Sequence, residues 1–368
     1  MSRKNYSSRI TKLQERRQGT GLYKFANESY DSVTADAADL VEAYEKRTQS
    51  ESLKYALGAM QEVEKRYTVI SHEQGERVSG QISSGMKTRD KQVEVHLQGS
   101  LPLNIHLRRY SDVDLLVFPS YFLLYDSTGP AAGTYVPSSK NSVEVVKDLR
   151  NDCHRILKTA FPQADVDNSG AKCLTVSGGS LTRSVDVVPA LWNDTATYQG
   201  SRNRRDRGVE ILDIQAGKLN GNFPFRYMEN INAKDNVTDG GAKKAIRLLK
   251  TLKYDADNEV QLSSFDIASL VWHAPTSTLK FPGYLEPALL VSLQTFLNGL
   301  CNDRARTELL EVADGTRKII RSENDYLALH ALNGELSDLI ESIAAELKPF
   351  EAYNFDKART VLLNTIVN

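Results

Sequence analysis

The sequence has little cysteine and no long apolar run. Its three cysteines, Cys153, Cys173 and Cys301, are odd in number and far apart, which excludes a disulfide framework and a clustered zinc site. No segment reaches the roughly 20 consecutive apolar residues that cross a bilayer, and the basic N-terminus lacks the apolar core of a secretory signal. These absences predict a cytoplasmic protein in a reducing compartment, with no membrane partner and no zinc.

An excess of positive charge is missing as well. The chain has 46 Lys and Arg residues against 47 Asp and Glu residues, which gives a formal net charge of -1. Because electrostatic coating of nucleic acids needs a strong positive excess, the composition excludes a general nucleic-acid-binding protein. Any nucleotide site must therefore be local.

Internal repeats and low-complexity tracts are also absent, and helical and strand patterns alternate irregularly, which favours an α+β fold. At 368 residues the chain is longer than one hydrophobic core usually supports. We predict a first lobe over residues 1–215, which carries the strands, and a helical lobe over residues 216–368. Residues 35–66 are rich in Ala, Leu, Glu and Lys and predict a long N-terminal spine helix between the lobes.

The first strands of the sheet are predicted on either side of a short helix. Residues 91–99 alternate apolar and polar side chains and end at Gly99. Residues 101–109 fit a short helix with Pro102 in its first turn, and residues 113–118 form the next strand.

Further along, Asn141 or Ser142 is expected to cap a helix that runs to about Phe161. Two strands then follow, at residues 171–178 and 180–191, joined at a Gly-Gly turn. The remaining chain is predicted to be mainly helical, with helices at residues 239–256, 263–274, 285–300, 323–347 and 356–367.

Two aspartates stand at the start of the strand at residues 113–118. Residues two apart on a strand point to the same face, so Asp112 and Asp114 can share one divalent cation such as Mg²⁺. Asp186, between two valines, could be brought to the same cluster by a neighbouring strand. Three carboxylates on adjacent strands are typical of two-metal sites for phosphoryl transfer. The pattern therefore predicts two Mg²⁺ or Mn²⁺ ions bound by these aspartates.

A Gly-Ser pair precedes the aspartates at the end of the preceding strand. Gly99 allows the backbone to approach a ligand closely, and Ser100 with the N–H groups that follow can bind phosphate oxygens. Either motif alone is common in turns, but their combination with a strand on each side favours a nucleotide site.

The segments QGSLPLNIHLRRYSDVDLLV and SVDVVPAL resemble the signature of the polymerase-β-like nucleotidyltransferases. The sequence after the third aspartate is most similar to the branch that contains 2′-5′ oligoadenylate synthase, cyclic GMP-AMP synthase and the bacterial CD-NTases, the cGAS/DncV-like enzymes. The resemblance implies a catalytic lobe with a mixed or antiparallel sheet, followed by a helical lobe like that of oligoadenylate synthase. It also implies catalytic and metal-binding roles for Asp112, Asp114 and Asp186.

Two downstream segments extend the resemblance. AIRLLKTLKY is similar to the family's helix whose lysine reaches the nucleotide phosphates, which implies this role for Lys250, with Arg247 one turn earlier on the same face. LSSFDIASL is similar to the family's Ser-aromatic pair, which implies that Ser264 touches the phosphates and that Phe265 stacks on a base.

The bacterial branch fits the sequence best, since neither a zinc thumb for DNA nor an excess of basic residues for double-stranded RNA is present. We therefore expect nucleoside triphosphates as substrates, no DNA or RNA activator, and a cyclic di- or trinucleotide product that acts on a downstream effector in CBASS antiphage signalling. Two alternatives remain open at this point. One is a nucleotidyltransferase that extends RNA 3′ ends or modifies transfer RNA, and the other is a sensor that binds nucleotides without turnover.

Overall fold

An eight-stranded mixed sheet forms the centre of the first lobe in this computed structural model, which describes residues 6–19 and 41–368. Its strands follow the order β1-β2-β6-β5-β4, with β3 and β7 also paired to β6 and with β8 paired to β7. The strands are β1 (Val93–Gln98), β2 (Val113–Pro119), β3 (Leu124–Tyr125), β4 (Asp165–Asp167), β5 (Leu174–Ser177), β6 (Val185–Asp194), β7 (Gly208–Asp213) and β8 (Lys218–Asn222).

Helices flank the sheet and form most of the later chain. They are α1 (Tyr6–Gln18), α2 (Glu51–Met60), α3 (Lys65–Lys87), α4 (Ser142–Ala160), α5 (Ala196–Ser201), α6 (Pro224–Val237), α7 (Gly241–Asp255), α8 (Ser264–His273), α9 (Thr276–Leu279), α10 (Glu286–Asn302), α11 (Arg304–Glu308), α12 (Glu323–Leu347) and α13 (Phe355–Leu363). The predicted α+β fold with a helical C-terminal part is confirmed. No helix in the described part of the chain combines the length and the apolar character needed to cross a membrane.

The pairing of β2 with β6 sets the geometry of the sheet. These two strands are parallel, whereas β1 pairs with β2, and β5 with β6, in the antiparallel sense. Side chains alternate between the two faces along each strand. One face packs its valines and leucines against α3 and α4, and the other packs Trp192 on Phe118 with the ring centroids 3.9 Å apart. Asp114 and Asp186 lie on this second face, at the end where β2 and β6 begin.

The helices α6 to α13 surround a separate apolar core, and α1 and α2 pack into that same core. The N-terminal helices therefore pack with the later chain, while α3 packs under the sheet. The boundary after residue 215 stays a prediction. In the structure the last strand, β8, ends at Asn222 and α6 begins at Pro224.

The predicted single helix over residues 35–66 is wrong where the structure describes it, and residues 35–40 lie outside the described residues. A short 3₁₀ helix, Ala43–Lys46, is followed by α2 and then by α3, the long helix of this region. The Ser50 side chain accepts a hydrogen bond from the Leu53 N–H and so starts a new helix. Gln61, with ψ of 151°, ends it in extended backbone. Helical composition does not reveal such a cap and break.

The predicted helix over residues 101–109 is also wrong. The chain makes one turn, in which the Asn104 N–H donates to the Leu101 carbonyl and the Ile105 N–H donates to the Ser100 carbonyl. Asn104 then adopts a φ of 56°, which is left-handed and cannot continue a right-handed helix. The strands on either side and the Asn141 cap of α4 are confirmed.

A buried ion pair holds α1 to α7. Arg16 donates two hydrogen bonds to the carboxylate of Asp255, at 2.7 and 3.1 Å, and Tyr55 donates to the same carboxylate at 2.9 Å. The Arg16 and Asp255 side chains are only 3% and 4% exposed. Removal of the arginine would therefore leave a buried carboxylate without its cation.

We predict that Arg16→Met lowers the free energy of unfolding by about 3–5 kcal/mol, the usual effect of breaking a buried pair. The control is Lys147→Met, which removes the exposed partner of Glu144 and should cost less than about 1 kcal/mol. Denaturant titration checks both values. Equal losses in the two variants would show that this pair does not hold α1.

Candidate active site

Three aspartates lie together where β2 and β6 begin. Asp112 immediately precedes β2, and Asp114 on β2 is directly level with Asp186 on β6 in the parallel register. Neighbouring strands lie about 4.8 Å apart, so the two carboxylates stand side by side on one face. The sequence predicted that Asp186 lies on a strand next to Asp114, and the strand register confirms this.

Burial and mutual repulsion raise the pKa of two of these groups. Burial, followed by the charges of Asp186 and Asp112, raises the pKa of Asp114 to about 7, and the charge of Lys250 opposes this shift. Burial and Asp186 also raise the pKa of Asp112, against a hydrogen bond from the Ser184 side chain. A cation between the carboxylates would relieve the repulsion, because it stabilises their charged forms.

The carboxylate oxygens are the ligands that hard divalent cations prefer. As the side chains are placed, no group of three Asp, Glu, His or Cys residues within 6–19 and 41–368 could hold a metal ion. The paired strands nevertheless bring two aspartates level, with a third two residues away in sequence. The type of donor and the unbalanced negative charge therefore fit a Mg²⁺-type ion that completes its shell with water or phosphate.

Thr175 is a neighbour of the site that sequence analysis missed. It lies opposite Asp186 in the β5–β6 register, and its hydroxyl donates to Asp186 Oδ1 at 2.6 Å. This bond orients the third carboxylate. The only signal in the sequence is the alternation of residues 173–177, which does not reveal the strand partner.

The Gly99–Ser100 turn lies directly against Asp114. Gly99 has a φ of 79°, and a Cβ atom at this position would lie 2.1 Å from Asp114 Oδ2. Glycine is therefore required both for the backbone conformation and for the close approach. Ser100 begins the turn that is closed by the Ile105 N–H.

Lys250 lies beside this turn, and its predicted contact with the nucleotide phosphates stays a prediction. Its Nζ donates to the Ile105 carbonyl at 2.6 Å, and the side chain is 1% exposed. Burial lowers the pKa of Lys250 to about 7, against the attraction of Asp114. Arg247 donates to the backbone carbonyls of Met60 and Asn104.

Ser264 and Phe265 form the start of α8. Ser263, and not Ser264, caps the helix by accepting a hydrogen bond from the Asp266 N–H. Phe265 is half-buried and stacks on Tyr227, with ring centroids 4.3 Å apart. Tyr227 was missed by sequence analysis because it is distant in the chain and reaches Phe265 only through the packing of α6 on α8.

Comparison with known proteins shows which proteins the chain is similar to. Residues 229–340 match the cGAS/DncV-like nucleotidyltransferase C-terminal helical domain. The chain is 37% identical over 369 residues to the cyclic dinucleotide synthase CdnE of Yersinia aleksiciae, with 96% of each chain covered. It is 28% identical to a c-di-GMP synthase of Capnocytophaga granulosa, over 88% of this chain and 93% of the relative.

Solved structures agree with this comparison. The STING-associated CdnE c-di-GMP synthase from Capnocytophaga granulosa superposes with a TM-score of 0.69 at 26% identity, over 91% of this chain and 97% of that one. A corresponding enzyme from Flavobacteriaceae sp. has the same fold, with a TM-score of 0.73 at 21% identity over 93% and 99% of the two chains.

Replacement of Gly99 tests the tight turn. We predict that Gly99→Ala lowers the melting temperature and weakens Mn²⁺ binding, because the new methyl group displaces the Asp114 carboxylate. Gly178→Ala is the matched control, since Gly178 has a φ of 74° but nothing within 4 Å of its Cβ position. It should show only the strain of a left-handed residue, about 1–2 kcal/mol. Equal behaviour of the two variants in calorimetry would contradict the proposed contact.

Asp114→Asn tests the electrostatics of the cluster. Because the folded-state pKa of about 7 lies above the ordinary value for aspartate, the folded protein retains this proton longer than the unfolded chain does. Wild type should therefore lose stability as the pH rises from about 4 towards 7. In EDTA the variant should melt like wild type near pH 4 and at a higher temperature above pH 7. A less stable variant at pH 8 would identify Asp114 as a structural residue.

Proposed function

The chain belongs to the cGAS/DncV-like nucleotidyltransferases, the CD-NTases, and we propose that it joins two nucleoside triphosphates into a cyclic dinucleotide. The observation that carries this proposal is the level placement of Asp114 and Asp186 against the Gly99–Ser100 turn. The relative from Yersinia aleksiciae, aligned over nearly the whole of both chains, is a cyclic dinucleotide synthase.

The proposed reaction has two similar steps. A ribose hydroxyl of one nucleotide attacks the α-phosphorus of the other, the new phosphodiester bond forms, and pyrophosphate leaves. A hydroxyl of the second nucleoside then attacks the remaining α-phosphorus, which closes the ring and releases a second pyrophosphate. Each step transfers negative charge between oxygens, so catalysis depends on positioning and charge neutralisation.

The three aspartates are the proposed ligands for two Mg²⁺ or Mn²⁺ ions. When bound, the ions supply the positive charge that offsets the triphosphate and lowers the pKa of the attacking hydroxyl. Asp112 and Asp114 bind on the side of the incoming triphosphate. Asp186, oriented by Thr175, would bind the ion on the side of the attacking hydroxyl.

The Gly99–Ser100 turn and Lys250 are the proposed phosphate contacts. An ammonium group has three hydrogens, and the Ile105 carbonyl accepts one of them, so two remain for phosphate oxygens. A bound triphosphate also favours the charged form of Lys250, whose pKa is lowered to about 7 by burial. We assign Ser264 to the same phosphates.

Phe265 is the proposed base platform. Since Tyr227 already covers part of this ring, a base would stack on the area that Tyr227 leaves open. Such stacking tolerates every base and leaves the choice of bases to other contacts.

We place this synthesis in CBASS antiphage signalling, where the product would activate an effector without a DNA or RNA activator of the enzyme. The two alternatives receive no support from a specific observation. RNA-extending enzymes need a basic platform for RNA, whereas this chain has a net charge of -1. A sensor without turnover would not need the three carboxylates that stand together here.

Synthesis by the purified protein tests the proposal. Incubation with the four ribonucleoside triphosphates and Mg²⁺ or Mn²⁺, without nucleic acid, should give a phosphatase-resistant product with the mass of a cyclic dinucleotide. Asp186→Asn should bind a non-hydrolysable triphosphate within several-fold of wild type but lose synthesis by orders of magnitude, because it removes a contact used in the transition state.

The control is Asp148→Asn, an exposed carboxylate on α4, which should leave synthesis unchanged. A linear, phosphatase-sensitive product from wild type would contradict ring closure. An Asp186→Asn variant that retains synthesis but loses nucleotide binding would contradict the division of roles between the aspartates.

A further inference from the structure

Arg247 connects two separate segments of backbone through one guanidinium group. Its Nε donates to the Met60 carbonyl and its Nη1 donates to the Asn104 carbonyl, each at 2.7 Å. The residue lies on α7 and is 3% exposed. The two acceptors are 44 residues apart in sequence, so no local structure brings them together.

One of these segments connects the two cores, and the other belongs to the turn beside the aspartates. Met60 ends α2, which packs in the core of the helical part, and the four residues after it lead into α3 under the sheet. Asn104 is in the turn that follows Gly99 and Ser100 and has a φ of 56°. The chain passes from the helical core to the sheet after Met60. The guanidinium of Arg247 thus connects this passage to the turn beside Asp114.

Different charges act on Arg247 and on Lys250. After burial, the groups that act most strongly on the pKa of Arg247 are Glu62, Asp235, Arg17 and Glu286. Lys250, one turn further along α7, instead interacts with Asp114 and donates to the next carbonyl, that of Ile105. The two cations therefore bind consecutive carbonyls, and the lysine also interacts with Asp114.

No carboxylate within residues 6–19 and 41–368 forms an ion pair with Arg247. A buried charge is costly unless its hydrogen bonds are satisfied, and here backbone carbonyls satisfy two of them. Methionine would fill much of the same space without this cost. Packing alone therefore does not account for an arginine at this position. Its hydrogen bonds to two carbonyls do, because they fix the two segments in relation to each other.

We propose that Arg247 is a positioning residue that fixes the Ser100–Ile105 turn against the end of α2, and that it is not a phosphate ligand. This inference rests on the proposed function only for the statement that the turn binds a triphosphate. The predicted phosphate role of Arg247 then belongs to Lys250 and to the turn itself.

Hydrogen exchange in the full-length protein, without nucleotide or metal, tests the positioning role. The amides of Asn104 and Ile105 close the turn, and they should exchange about tenfold faster or more in Arg247→Met, the effect of losing roughly one net hydrogen bond. Arg247→Lys keeps the charge but has a single nitrogen in place of Nε and Nη1, so it should show the same local acceleration.

Arg9→Met is the matched control, because Arg9 is also a buried arginine but pairs with Glu335 away from the turn. This variant should lose stability without selective acceleration at Asn104 and Ile105. In the two Arg247 variants the KM for triphosphates should rise about tenfold, in proportion to the loosened turn.

Two results would overturn the proposal. Unchanged exchange at the turn, together with weaker triphosphate binding, would make Arg247 a phosphate ligand. Equal acceleration throughout α2 and α7 in Arg247→Lys would show general destabilisation and no positioning role. A wild-type protein without synthase activity would contradict the proposed function alone, since the exchange measurement uses no substrate.

Discussion

The repulsion between Asp114 and Asp186 is the constraint on which the active site depends. Parallel pairing of β2 with β6 places the two carboxylates level on one face, and burial reduces the water that could screen them. Such a pair stays fully charged only when positive charge is supplied nearby, and otherwise Asp114 keeps its proton to a higher pH. Lys250, whose charge opposes this repulsion, is itself buried with a lowered pKa, so the proposed divalent ions would supply the remaining positive charge.

Buried cations that bind backbone carbonyls give this site its shape. Arg247 and Lys250 bind the carbonyls of Asn104 and Ile105, and Arg150 on α4 does the same for the loop before β5, through the carbonyls of Asn168, Gly170 and Cys173. Each arrangement binds carbonyls of a segment that lies outside the helices and strands. The loop before β5 leads to Thr175, which orients Asp186. We infer that buried cations position the loops next to the proposed catalytic side chains.

Sequence patterns predicted the parts of the fold that local chemistry determines. Alternation predicted β1 and β2, and Asn141 predicted the start of α4. Gly99 was predicted to let the backbone approach a ligand, and in the structure its close neighbour is Asp114. The helix predicted at residues 101–109 does not form, because Arg247 and Lys250 on α7 bind the carbonyls of Asn104 and Ile105. These contacts allow Asn104 its left-handed conformation. Thr175 and Tyr227 were missed for a similar reason, since their partners are set by strand pairing and helix packing and leave no local signal.

The location of the metal ions tests the central claim most directly. Crystals grown with Mn²⁺ and a non-hydrolysable nucleoside triphosphate would locate the ions by anomalous scattering. We expect two ions bound by Asp112 and Asp114, one of them also bound by Asp186, with the triphosphate on the Gly99–Ser100 turn. Ions bound away from these carboxylates, or a triphosphate bound away from the turn, would contradict this account of the site.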